Sequence, residues 1–141
     1  MKASEFINTF AFARCLEAMN KGNFDTLERA YDAAFFLIPR LYCKDGFNIS
    51  VQVNNANYCG SENGTRTFGL DWQFVEWGYP SSHIDGKKYN AESSPTTESV
   101  GGYVEVDLID ELCEQHGGFD YLRTLCEYYE NKNTMKEIGI L

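Results

Sequence analysis

The sequence predicts an α+β domain with two N-terminal helices, a small and mainly antiparallel three-stranded sheet, and two C-terminal helices. Three observations predict it. Apolar residues recur with helical spacing up to Leu41, alternate with a period of two from Phe47, and return to helical spacing after Asp107. At 141 residues the chain suits one domain, and a domain of this size buries roughly 68–70% of its unfolded surface without metal or disulfide staples. The expected organisation is a helical hairpin (1–45), a sheet with a long loop at 79–99 (46–106), a helical pair (107–131) and a tail (132–141).

The first helix runs from a Ser4 cap to a stop at Gly22. Phe6, Ile7, Phe10, Ala13 and Ala18 form its apolar side, and Phe12, Leu16 and Met19 extend burial around the cylinder. Asp25 with Glu28 resembles a capping box and opens a second helix. Its stripe is Leu27, Ala30, Tyr31, Ala34, Ile38 and Leu41, kinked or ended near Leu37 by Pro39. After an Asp45–Gly46 turn, FNISVQVN alternates as a half-buried strand. Asn63–Gly64 is the best reversal before a second strand, RTFGLDWQFVEWGY, which changes face near Phe74–Val75 through a bulge or double-sided burial. Tyr79 to Ser99 has no periodicity and is longer than ordinary connections, which marks it as functional or mobile. GYVEVD makes a short third strand. Asp107 then caps a third helix ending at Gly117–Gly118, with Leu108, Ile109, Leu112 and Cys113 on its buried face. A fourth helix from Phe119 to Asn131 buries Phe119, Leu122, Leu125, Cys126 and Tyr129, and the tail TMKEIGIL either docks or pairs as a strand.

The net charge of −9 is unevenly placed. Residues 89–122 carry eight carboxylates and no Lys or Arg, whereas 1–88 hold nine bases against ten acids and 123–141 hold three of each. Phosphate neutralisation requires Lys and Arg, so the balance argues against direct nucleic-acid binding and against anionic membranes, and favours basic protein surfaces. No apolar run has membrane-span length and the start lacks the zones of a signal peptide, so the expected location is the cytoplasm. Five cysteines without C-x-x-C fit small core residues in a reducing compartment.

These residue types bear on several chemistries. Cys113 and His116 share a helix face at i, i+3 and are the best metal candidates, with Cys43, Cys59 and His83 beyond them, but no paired ligand spacing is present and no motif points to a cofactor. Cys59, His83 and Asp85 supply the residue types of a cysteine hydrolase without its local motif, and no carboxylate pair stands out for hydrolysis. Gly101–Gly102 precedes a strand and not a helix, which suits close chain approach better than a phosphate loop. The acidic segment has two readings. Asp107, Asp110 and Glu111 stabilise the start of a helix through its dipole, or Asp107, Asp110, Glu111 and Glu114 form a ridge about 10 Å long, extended by Glu105 and near Glu92 and Glu98, that docks a basic groove. Trp77 and Tyr79 are read first as sheet core and second as aromatic anchors beside that ridge. The loop at 79–99 offers an alternative, closure over a small-molecule or nucleotide pocket, and the doubly apolar end of the second strand also fits a self-associating subunit.

ISVQVNNANYCGSENG, EWGYPSSHID and PTTESVGGYVEVDLIDELCEQHGG resemble small, largely uncharacterised proteins of bacteriophages and mobile elements, over about residues 49–118. The resemblance implies an accessory protein of the bacterial cytoplasm, of the kind that inhibits host defence, anti-CRISPR proteins among them. No residue-level motif matches, so it assigns no functional residues. The expected function is therefore that of a non-enzymatic acidic protein that blocks a basic surface, with a nucleic-acid-binding defence complex as the expected target.

Overall fold

The alternation in FNISVQVN is realised as a strand, β2 (Asn48–Gln52), whose Ile49 and Val51, with Val53 just beyond, are fully buried while Asn48, Ser50 and Gln52 are half-buried. The structure is a computed structural model that describes residues 1–62 and 71–137, the side chains of 133–137 excepted. The expected Asn63–Gly64 reversal, the start of the second strand at 66–70 and the end of the tail at 138–141 lie outside the described residues.

Around β2 the sheet has four strands among the described residues, not three. β1 (Leu41–Tyr42), β2, β3 (Phe74–Gly78) and β4 (Val100–Glu105) are antiparallel and lie in sequence order. Leu41 pairs with Ile49, Val51 with Trp77, and Val75 with Val104, so these side chains form one continuous apolar face. The bulge falls between β3 and β4, where Val75–Trp77 faces an extra residue in the stretch up to Gly101. There Tyr103 adopts φ +51° and turns its N–H to Tyr58 O at 2.9 Å. The glycine pair on β4 serves close approach: a Cβ at Gly101 would collide with the Trp77 indole, and one at Gly102 would lie 2.6 Å from Tyr58 Cβ.

The extra strand exists because the second helix stops early. α2 (Leu27–Ala33) is capped by Thr26, whose Oγ1 accepts from Arg29 N at 3.2 Å, while Asp25 pairs with Arg29 at 3.0 Å instead of capping. From Ala34 the chain is extended, and Phe36 and Ile38 point inward while Phe35 and Leu37 are exposed. Two amide side chains of the β2 segment hold it there. Gln52 accepts from Ile38 N at 2.8 Å and donates to Ile38 O at 3.0 Å, and Asn54 donates to Phe36 O at 2.9 Å. Pro39 lacks an N–H and biases Ile38 towards extended geometry, so the strand-like alternation overrides the helical stripe through Ala34, Ile38 and Leu41.

The helices cover the apolar face of the sheet. α1 (Ala3–Gly22) buries Ala3, Phe6, Ile7, Ala11 and Cys15 along one side only. Ala13, Phe12 and Leu16 are exposed, so the expected burial around the cylinder does not occur. Its stop is Asn23 in the left-handed region, just past Gly22. Ser4 lies inside the helix and does not cap it. Asp110 of α3 (Val106–Gln115) reaches the helix start instead, with Oδ1 accepting from Ser4 N at 2.8 Å and Oδ2 from Ser4 Oγ at 2.6 Å. α3 buries Val106, Ile109, Leu112 and Cys113 and ends at Gly117 and Gly118, both at positive φ. Asp107, the expected cap, lies in the first turn instead, and Glu105 occupies the N-cap position.

α4 (Tyr121–Glu137) starts two residues later than expected and presents a different face. Asp120 Oδ1 accepts from Arg123 N at 3.0 Å, and Thr124 Oγ1 accepts from Tyr42 N at 3.0 Å, which draws the fully buried Thr124 against β1. Leu122, Cys126 and Tyr129, expected in the core, are therefore on the outer face, with Leu122 71% exposed. Phe119 is buried, but outside the helix, bridged to Cys43. The long loop is folded back on the sheet: its ends are joined by Tyr79 N to Ser99 O at 2.9 Å, and Ala91 bridges to Gly101.

Two ties carry testable weight. Asp110→Ala removes both acceptors at the α1 start and lowers unfolding free energy by about 1–2 kcal/mol. Urea denaturation measures it, and a cycle with Ser4→Ala shows the two losses to be non-additive. The second tie is Asp45, whose carboxyl is held below the usual carboxylate range by the Phe47 N–H and by His116. A depressed folded-state pKa contributes stability above the unfolded value and loses it as pH falls through the folded one. Acid unfolding of Asp45→Asn should accordingly show a shallower fall in stability below about pH 4 than the wild type.

Candidate acidic cleft

Three short ties bring four carboxylates from distant parts of the sequence around one cleft. Asp110 fixes the first turn of α1 and with it Glu5. One turn on, Asn8 clamps the backbone of Trp72, its Oδ1 accepting from Trp72 N at 2.6 Å and its Nδ2 donating to Trp72 O at 3.3 Å, which sets Asp71 across from α1. Val106 N donates to Gln73 O at 2.8 Å and Phe74 pairs with Glu105, which brings the β4–α3 junction alongside. The cleft between these walls has a volume of about 720 Å³ and is lined by Glu5, Asp71, Glu105 and Asp107, with polar Asn8 and Gln73 between them. Among the described residues no Lys, Arg or His lines it, and none of the four acids is in an ion pair.

The expected ridge is thereby divided. Glu105 and Asp107 belong to the cleft. Asp110 is half-buried and spent on Ser4, and Glu111 is paired with Lys88 at 2.7 Å, so neither is a free charge for a partner. Glu114 remains exposed towards the other end of α3, and Glu92 and Glu98 are exposed on the loop outside the cleft. Trp77 is 1% exposed and donates its ring N–H to Tyr89 O at 2.7 Å, so it is core and no anchor. Tyr79 is exposed at φ +50°, with its carbonyl taken by the Arg40 guanidinium. Glu5 and Asp71 went unassigned in the sequence, since only long-range packing joins them to Glu105 and Asp107.

The cysteine and metal candidates separate too. Cys59 is buried, with Sγ 3.5 Å from Tyr31 Oη and from Asn54 O, while His83 is exposed and its Nδ1 is 3.3 Å from Thr96 Oγ1, so the cysteine-hydrolase set is not assembled. Cys113 is buried against Cys43, whose thiol hydrogen bond, together with burial, pushes the Cys113 pKa up. His116 turns the other way, with Nδ1 2.7 Å from Asp45 Oδ2 and its ring stacked 4.0 Å from Phe47. Among the described residues no three His, Cys, Asp or Glu side chains are placed to hold a metal ion, those of the acidic cleft included.

Among the described residues no helix is long and apolar enough to cross a membrane. Comparison of the chain with protein-family models, curated proteins and solved structures gives no match. The functional reading accordingly rests on the geometry of this chain.

The cysteine environments are directly measurable. Cys15, Cys43, Cys59 and Cys113 are buried, burial pushes Cys15 up to about 11, and Cys126 is exposed. A thiol reagent at neutral pH modifies Cys126 alone in the folded protein and all five sites after denaturation; Cys126→Ser abolishes the native reaction.

Proposed function

We propose that this chain is a non-enzymatic binding protein that receives a basic protein surface in the cleft between α1, residues 71–73 and the β4–α3 junction. The observation that carries this reading is the lining itself: four carboxylates from three chain segments, with no base among the described residues that line it. Their mutual repulsion is relieved when ammonium or guanidinium groups enter, and a concave site with one sign of charge steers such groups towards it. The resemblance to phage and mobile-element accessory proteins makes a nucleic-acid-binding defence complex the first target class to test, with the acidic cleft taking side chains that otherwise contact phosphate.

The test compares two sets of neutralised variants. Glu5→Gln, Asp71→Asn, Glu105→Gln and Asp107→Asn together empty the cleft of charge, while Glu92→Gln with Glu98→Gln removes acids outside it. Calorimetry with an arginine-rich peptide, at low and high salt, should show at least about a tenfold loss for the cleft set and little for the control, with wild-type affinity falling as salt rises. Equal losses for both sets, or none for the cleft set, would reject the reading.

A further inference from the structure

A second cleft, independent of the acidic one, gathers nitrogen donors. Its volume is about 380 Å³, and both histidines of the chain, 33 positions apart in sequence, line it with Lys88, Gln115 and one carboxylate, Asp85. Each imidazole is anchored through Nδ1: His116 by Asp45 Oδ2 at 2.7 Å, and His83 by Thr96 Oγ1 at 3.3 Å. The Phe47 ring, stacked 4.0 Å from His116 at an interplanar angle of 9°, fixes that imidazole further. Anchoring by Nδ1 leaves Nε2 as the nitrogen each ring has for a ligand.

The charged neighbours come from three elements, and much of their negative charge is already engaged. From the β1–β2 turn, Asp45 divides its oxygens between His116 and Phe47 N. From the long loop, Asp85 turns Oδ1 to the backbone N–H groups of Lys87 and Lys88, at 3.1 Å each. Glu111 of α3 is bonded to Lys88 Nζ at 2.7 Å, and that ammonium keeps two further N–H donors. Tyr89 is buried and its pKa is raised by that burial, so it stays neutral. A metal would need a third ligand, and among the described residues none converges with the two rings. Two imidazoles and an ammonium suit a compact oxyanion instead.

We propose that the His83–His116 cleft binds a phosphate-type oxyanion between the two imidazole Nε2–H groups and the Lys88 ammonium. Binding strengthens as the rings gain protons, because a neutral imidazole offers one N–H and the protonated ring two. Free phosphate and a small phosphomonoester share this chemistry.

The experiment follows the imidazole nitrogen resonances of the full chain while inorganic phosphate, or in a second arm glycerol phosphate, is added at constant ionic strength set with chloride. At pH 6 both Nε2 signals should shift saturably. His83→Gln, at an exposed loop position, should keep the wild-type melting temperature and lose about tenfold or more in affinity. His116→Gln also removes the Asp45 and Phe47 contacts, so the His83 variant is the deciding one. Tighter binding of the ester assigns the site to esterified phosphate, and equal binding assigns it to the free ion. Shifts reproduced by chloride, or an unchanged affinity in the His83→Gln variant, would overturn the proposal, and neither outcome bears on the acidic cleft.

Discussion

The contact between Asp110 and Ser4 governs how the two halves of the chain meet. A carboxylate from α3 takes the place of the side-chain cap that α1 lacks, and both of its oxygens are used. The start of a helix is an electropositive, donor-rich end, so an acid is well placed there. This contact brings the first turn of α1 beside the β4–α3 junction, and the Asn8 clamp on Trp72 adds the third wall. The cleft follows from these two ties: Glu5 and Asp107 face a common space because Asp110 is occupied between their elements.

The same arrangement explains why a surplus of charge in the sequence does not become a uniform strip. Within residues 89–122 the carboxylates divide by role. Asp110 and Asp120 serve helix starts, Glu111 serves an ion pair across to the loop, and Glu105 and Asp107 are left without a described cation. Acids at helix starts are the ordinary use of such residues, and the proposed binding role falls to Glu105 and Asp107 of the remainder. In the other cleft the engagement runs the opposite way: Asp45 and Glu111 hold His116 and Lys88, the Thr96 hydroxyl holds His83, and both imidazoles line the open volume.

Much of the fold was legible where one periodicity dominates. The alternation of Phe47 to Asn54 predicts β2, and the spacing of Leu108, Ile109, Leu112 and Cys113 predicts α3 to within a residue or two. Legibility failed where two patterns compete. Ala34, Ile38 and Leu41 satisfy a helical stripe, yet Phe36 and Ile38 satisfy an alternating one, and the choice rests with Gln52 and Asn54, which are distant in sequence. The face of α4 was misjudged for a similar reason, because Thr124 outcompetes Leu122 and Cys126 for the sheet by supplying a hydroxyl to Tyr42 N–H. The cleft was half legible: Glu105 and Asp107 stand in an obvious acidic run, whereas Glu5 and Asp71 join them only through backbone ties made by Asn8 and Asp110.

The amide latch on residues 36–38 has a chemical consequence of its own. Where a regular ladder would pair backbone with backbone, here a primary amide donates to the Phe36 carbonyl and another both donates to and accepts from Ile38. Hydrolysis of the Asn54 amide during ageing would set carboxylate oxygen against carbonyl oxygen, turning an attraction into a repulsion at one atom. The segment bearing the exposed Phe35 and Leu37 would then lose one of its holds on the sheet and come away as a greasy flap.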